Sequence, residues 1–232
     1  MNRAPFATVA LVLCVACDPP ARRPSALDEG QPAKIEDFAA LFRTQCAGCH
    51  GEEGRGGPAL GLSNPIYLAM VDDATLHRIT AAGVPGTSMP AFASAEGGML
   101  TDRQVDVIAR GIRARWSHPT GGVTPPPYAG PPGDVARGAV VYQSHCASCH
   151  GSGGAAASDT SILDGSFLAL VSPQGLRTTI IAGRPDLGHP DWRNDRRGAP
   201  LSSQQIADVV AWMLSRRPEF PGQPYSSTSP AP

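Results

Sequence analysis

Cys46-Ala47-Gly48-Cys49-His50 decides how this chain is read, because it returns one hundred residues later as Cys146-Ala147-Ser148-Cys149-His150. Two cysteines spaced this way form half of a tetrahedral zinc site, but zinc needs a second Cys/His pair within each unit. The same spacing makes the redox dithiol of a thioredoxin-like βαβ unit, whose strand pattern is absent here.

A histidine directly after the second cysteine, in both copies, leaves the attachment signature of a c-type haem. Each thiol adds to one haem vinyl group, and the adjacent imidazole then lies under the ring as an iron ligand. Cys46, Cys49, Cys146 and Cys149 are therefore the expected attachment points of two haems, with His50 and His150 as proximal ligands. A 232-residue chain with this repeat reads as two small units of roughly 80 residues. Units of that size bury little apolar surface unaided, and an enclosed haem gives each a centre.

Of six cysteines, four are taken by the repeat and only Cys14 and Cys17 remain, so no disulfide is expected in the folded body. Residues 1–17 carry one early positive charge and then an apolar run too short to span a bilayer, as an export signal does. Around Cys17 the sequence resembles a bacterial lipobox, with Ala16 just before it and Leu13 nearby, and Cys17 is the expected lipidation site. The lipid would hold the protein on a membrane surface, and Asp18 resembles the residue that retains lipoproteins on the periplasmic side of the inner membrane. Residues 18–33 read as a tether.

The formal net charge of −1 argues against nucleic acid as a partner. Residues 33–116 carry eight Lys/Arg against nine Asp/Glu, and 133–217 carry eight Arg against seven Asp. Neither balance steers a partner from long range.

The first domain spans 34–116. Ile35, Phe38, Ala39, Leu41 and Phe42 recur at helical spacing and lead into the cysteines. Residues 54–61 read as loop, 73–82 as a short helix, 83–92 as loop and 100–115 as an amphipathic helix. Residues 117–133, with three consecutive prolines from Pro125, form a polyproline-like linker. The second domain, 134–217, repeats the order, with helices expected over 134–145, 174–182 and 202–216. Residues 218–232 read as a disordered tail.

Each unit resembles a class I cytochrome c domain, which implies an all-α fold wrapped around one covalent haem. Such domains carry a glycine eight residues before the first haem cysteine and an aromatic in the last helix, where the terminal helices cross. The second unit has both, as Gly138 and Trp212; the first inverts them, with Phe38 in the glycine position and Gly111 in the aromatic one. A large group facing a small one fills the gap from either side, so Phe38 is predicted over Gly111 and Trp212 over Gly138.

The resemblance also implies a sixth iron ligand on a later loop. In the first unit Met89, followed by Pro90, matches the Met-Pro loop, with Met70 and Met99 as alternatives that more readily fill a core. Adding one hundred puts Gly183 on Gly83, His189 on Met89 and Pro190 on Pro90. His189 is therefore the expected second axial ligand of haem two, and His145, Trp192, His77 and His118 are weaker candidates. Met213 reads as core. Pro58 resembles the family proline whose carbonyl accepts the proximal imidazole N–H; Ser158 occupies that place in the second unit. Arg184, Arg193, Arg196 and Arg197 around the His189 loop are candidates for haem propionates or an acidic partner, with a solvated loop face as the alternative.

Imidazole stabilises ferric iron and thioether favours ferrous, so a His/Met haem one and a bis-histidine haem two would differ in potential. The expected function is a di-haem electron relay, taking electrons from a quinol-oxidising complex or dehydrogenase and passing them to an oxidase or soluble cytochrome. The alternative is a peroxidase-like centre at haem two, which requires an open or displaceable iron position.

Overall fold

The computed structural model describes residues 35–152, 161–193 and 200–218. The export signal with Cys17, the whole tether and all of the tail but Pro218 lie outside these, as do Ser158, Arg196 and Arg197. The described residues form two tandem helical units. The first contains α1 (Phe38–Gln45), α2 (Ala47–His50), α3 (Pro65–Met70), α4 (Asp73–Ala82) and α5 (Asp102–Trp116). The second repeats the order as α6 (Val135–His145), α7 (Ala147–His150), α8 (Gly165–Leu170), α9 (Pro173–Ala182) and α10 (Ser203–Leu214). Two isolated β-bridges, Ala93 to Leu100 and Arg184 to His189, take the place of a sheet among these residues. No described helix is long and apolar enough to cross a membrane.

The helix starts follow from capping side chains. Asp37, Asn64, Asp72 and Thr101 cap α1, α3, α4 and α5; Asp134, Asp164, Ser172 and Ser202 do so for α6, α8, α9 and α10. Each satisfies backbone N–H groups that a helix end leaves open, at about 1 kcal/mol. The last helices carry reciprocal capping boxes, Thr101 with Gln104 and Ser202 with Gln205. The offset between units is thus 100 residues up to α9 and 101 at the last helix. Helices α3 and α8 escaped the sequence reading because six residues are too few to show a period.

The terminal helices cross as anticipated. A Cβ added to Gly111 would fall 2.0 Å from Phe38 Cδ2, so only hydrogen fits beneath that ring. In the second unit a Cβ on Gly138 would meet the Asp208 carbonyl at 2.0 Å and Trp212 Cβ at 2.7 Å. The Trp212 indole then continues past Gly138 and stacks on Tyr142, ring centroids 4.3 Å apart. The first unit places its indole a turn later, where Trp116 meets Phe42 edge-on at 4.9 Å.

Two arginines tie the last helix of each unit to the end of its six-residue helix. Arg113 on α5 donates to the Leu68 and Val71 carbonyls at the end of α3 and pairs with Asp73 at 2.8 Å. Arg217, after α10, donates to Leu168 and Val171, the residues one hundred further on. On α10 the buried Asp208 accepts from Arg137 Nε at 2.8 Å, Gln204 Nε2 at 2.9 Å and the Asp134 amide at 2.8 Å, which ties α6 to α10.

The two units touch. Linker carbonyls at Pro127 and Tyr128 accept hydrogen bonds from the buried Arg177 of α9, so this part of 117–133 is seated on the second unit. From the first unit Asn64 Nδ2 donates to the Ala182 carbonyl at 2.8 Å, bringing the start of α3 to the end of α9.

Candidate haem sites

Helix α1 delivers the first motif: the Cys46 amide donates to Phe42, and the His50 amide to Cys46, which turns α2 into a single helical turn. The chain then reverses at Gly51, φ 79°, where a Cβ would lie 1.8 Å from the Arg55 carbonyl; glycine alone can make this turn. The returning loop runs against the motif, with the Ala59 amide donating to the Cys49 carbonyl at 2.9 Å. It brings the Leu60 carbonyl 2.8 Å from His50 Nδ1. A carbonyl can only accept, so Nδ1 carries the proton and Nε2 keeps a lone pair for a metal.

His50 is buried, and burial pushes its pKa down, so the imidazole stays neutral as a ligand must. Burial pushes the unmodified Cys46 thiol up to about 12, while Cys49 is exposed. In the second unit the Cys146 amide donates to Tyr142 and the His150 amide to Cys146. Gly151 turns the chain at φ 72°, and Tyr142 Oη donates to its carbonyl at 2.8 Å. Burial pushes the Cys146 thiol up to about 11, leaves Cys149 exposed and lowers the pKa of His150.

The loops carrying Met89 and His189 close with the same backbone bond. The Val84 amide donates to the Met89 carbonyl and the Arg184 amide to the His189 carbonyl, each at 3.0 Å. Gly83 and Gly183, both at positive φ, are pressed against Met89-Pro90 and His189-Pro190 so closely that a Cβ would come within 3 Å of either loop. Met89 and His189 therefore occupy equivalent positions. The His189 ring centroid stands 5.9 Å from that of His150. Its Nδ1 is buried with no hydrogen-bond partner among the described residues, and burial first, then His150, lowers its pKa. Two imidazoles ligating one metal from opposite sides, at about 2 Å each, have centroids roughly 6 Å apart. The donor set of each unit, two thiols, a neutral imidazole and a facing thioether or imidazole, fits a covalently attached haem.

Four of the alternatives are accounted for by their surroundings. Met99 is 81% exposed, Met213 and Trp192 belong to the core, and His77 pairs with Asp106 at 3.3 Å on the surface. One expectation is corrected. Leu60, not Pro58, supplies the carbonyl for His50, because the loop descends two residues further before meeting the ring. Arg184 is engaged by Asp186 and by the Gly57 and Pro58 carbonyls of the first unit, and Arg193 by Asp191, so these guanidiniums bind protein groups. The role of Asn64, which caps α3 and joins the two units, was not visible in sequence.

A repeated helical unit with C-x-x-C-H at the end of its first helix and a ligand-type side chain on a fixed later loop defines a c-type cytochrome, the class of protein that holds haem c covalently. The chain belongs to the family described as cytochrome c oxidase, cbb3-type, subunit III, whose model matches residues 33–110 and again 133–213. It is similar to a cytochrome bc1 complex cytochrome c subunit of Mycobacterium bovis, 26% identical over 195 residues that cover 80% of this chain and 65% of that one. It is also similar to a cbb3-type cytochrome c oxidase subunit CcoP of Azospirillum sp., 31% identical over 123 residues, 48% of this chain and 38% of the other. Among solved structures, a reducing HAO-like protein complex of Kuenenia stuttgartiensis matches with a TM-score of 0.47 at 17% identity, covering 80% of this chain and 97% of that one. The chain thus spans less than two thirds of the length of the first curated relative.

Proposed function

We propose that this protein is a di-haem electron carrier of a respiratory chain. One haem would be held by Cys46 and Cys49 with His50 and Met89 as iron ligands, the other by Cys146 and Cys149 with His150 and His189. The observation that carries this reading is the equivalence of the two distal loops, with the His189 ring 5.9 Å from that of His150. Bound haem supplies a one-electron ferric/ferrous couple.

The protein's own groups set how that couple behaves. The Leu60 carbonyl fixes the tautomer and orientation of His50. Burial keeps His50, His150 and His189 neutral, so each presents a lone pair without first losing a proton. Cys46 and Cys146 lie in apolar surroundings that suit a neutral thioether better than a thiolate. Thioether in one unit against imidazole in the other makes the first the higher-potential site.

Relatives named as subunits of a bc1 complex and a cbb3 oxidase support redox proteins as partners: a quinol-oxidising complex, dehydrogenase, oxidase or soluble cytochrome. In this reading the chain works on the periplasmic side of the inner membrane, held there through Cys17. Haem content per chain and a potentiometric titration of the intact protein test the proposal. It expects two haems and two separable waves, the lower one belonging to the His189 unit; one haem per chain, or coincident waves, overturns it.

A further inference from the structure

The contact between units runs through the loop that orients His50. Arg184, at the start of the His189 loop, crosses to the first unit and donates from Nη2 to the Gly57 carbonyl at 2.8 Å and from Nη1 to the Pro58 carbonyl at 3.3 Å. The same guanidinium is gripped by Asp186, with Nε to Oδ1 at 3.0 Å and Nη2 to Oδ2 at 2.8 Å. Arg184 holds the carboxyl of Asp186 below its ordinary range, with the Gly56 backbone amide helping, so both members of the pair reach the first unit. Their side chains are 11% and 23% exposed, which removes much of the screening that makes surface ion pairs weak.

The gripped segment is confined on its other side as well. A Cβ on Gly57 would fall 2.2 Å from the Cys49 carbonyl, and Ala59 donates to that same carbonyl. Residues Gly56 to Pro58 are therefore pinched between the first haem motif and a salt bridge from the other unit, and two residues on stands Leu60, the partner of His50. Arg184 is in turn fixed by its backbone, which exchanges two hydrogen bonds with His189.

We propose that the Arg184–Asp186 pair of the second unit is a positioning device for His50 of the first, clamping Gly56–Pro58 so that Leu60 holds the proximal imidazole in place. This rests on the reading of His50 as an iron ligand given above. Two consequences follow for the first-unit haem. Loss of Arg184 loosens the imidazole that would donate to iron, and it removes a cation held on the loop that carries the His50 partner while leaving the Asp186 carboxylate unpaired. Both the lost cation and the bared anion favour ferric iron, so the first-unit potential falls. Lysine at this position keeps the charge but lacks the planar fork that spans two carbonyls and a carboxylate.

The test uses the full-length holoprotein with Arg184→Gln, Arg184→Lys and, as an interface control, Asn64→Ser, which keeps an oxygen to cap α3 but drops the bond to Ala182. Amide hydrogen exchange at Gly57, Ala59 and Leu60 is followed beside a redox titration. Arg184→Gln is expected to speed exchange at these amides at least tenfold and to lower the first-unit reduction equilibrium about tenfold, or 59 mV for one electron. Arg184→Lys is expected to recover part of the potential and little of the protection, and Asn64→Ser to change neither. Unchanged exchange and midpoint in a folded Arg184→Gln protein, or equal shifts with Asn64→Ser, overturn the proposal. Haem content of the same samples tests the di-haem reading separately, since exchange at Gly57–Leu60 reads the clamp whatever that content is.

Discussion

Phe38 lies over Gly111 with no room for a methyl group: a Cβ there would sit 2.0 Å from Phe38 Cδ2 and 2.4 Å from Cγ. Gly111→Ala should therefore destabilise the first unit by about 1–3 kcal/mol, outweighing the roughly 1 kcal/mol alanine gains over glycine within a helix. In a Phe38→Ala background the clash is gone, and the same Gly111→Ala change should become stabilising. Chemical denaturation of the four proteins measures the coupling. Additive effects would show that the ring does not rest on Gly111.

Asp208 predicts a pH dependence confined to acid. Hydrogen bonding from Arg137, opposed in part by burial, lowers its pKa from 3.8 to about 2 in the folded protein. As pH falls, the unfolded chain takes up this proton first, so the stabilisation is full above about pH 4 and is lost as pH drops towards 2. Asp208→Asn should flatten the stability profile between those limits. It should also cost about 1–3 kcal/mol at neutral pH, because Arg137 and the Asp134 amide lose a charged acceptor. Urea midpoints of both proteins across pH 2–7 decide it: parallel curves would rule out Asp208 as the titrating group.

Arg113 and Arg217 should matter for a reason unrelated to their charge. Each satisfies two carbonyls where a short helix ends, Leu68 and Val71 in one unit, Leu168 and Val171 in the other. Replacement by alanine should lower the stability of the affected unit by about 1–3 kcal/mol. Lysine should rescue poorly, since one ammonium lacks the guanidinium fork that reaches both carbonyls. Calorimetry of the holoprotein reads the loss, and full rescue by lysine would refute the bridging role.

What the sequence made legible was whatever one unit spells out locally. The cysteine-histidine motifs, the Met89/His189 register and the exchange of large and small residues at the helix crossing all follow from fixed spacing along one chain segment. Less visible were contacts made by side chains with several available partners. Pro58 and Leu60 both offer a carbonyl on the loop that passes His50, and only the depth to which that loop descends chooses Leu60 as the acceptor. Arg184 reads as a solvent-facing loop cation until the other unit is brought against it. Arg177 likewise gains its meaning from linker carbonyls nearly fifty residues upstream in sequence. Periodicity carries no record of such meetings between segments.

His189 offers the sharpest contrast between the two units, because methionine already stands at the equivalent place in the first. In the His189→Met variant the second-unit haem should remain low-spin while its potential rises towards that of the first, since thioether donates less to ferric iron than imidazole does. The exchange should be tolerated by the fold, as the Gly183 contact and the Arg184–His189 pairing involve the loop backbone. His189→Ala removes the donor altogether and should give a high-spin ferric signal from that haem alone, leaving the Met89 site as it was. Electron paramagnetic resonance of the oxidised proteins distinguishes the cases, with a redox titration following the potential. A second-unit haem whose spin state and midpoint ignore both substitutions would mean that its iron takes another ligand or none, and the difference between the units would then need a cause other than the axial pair.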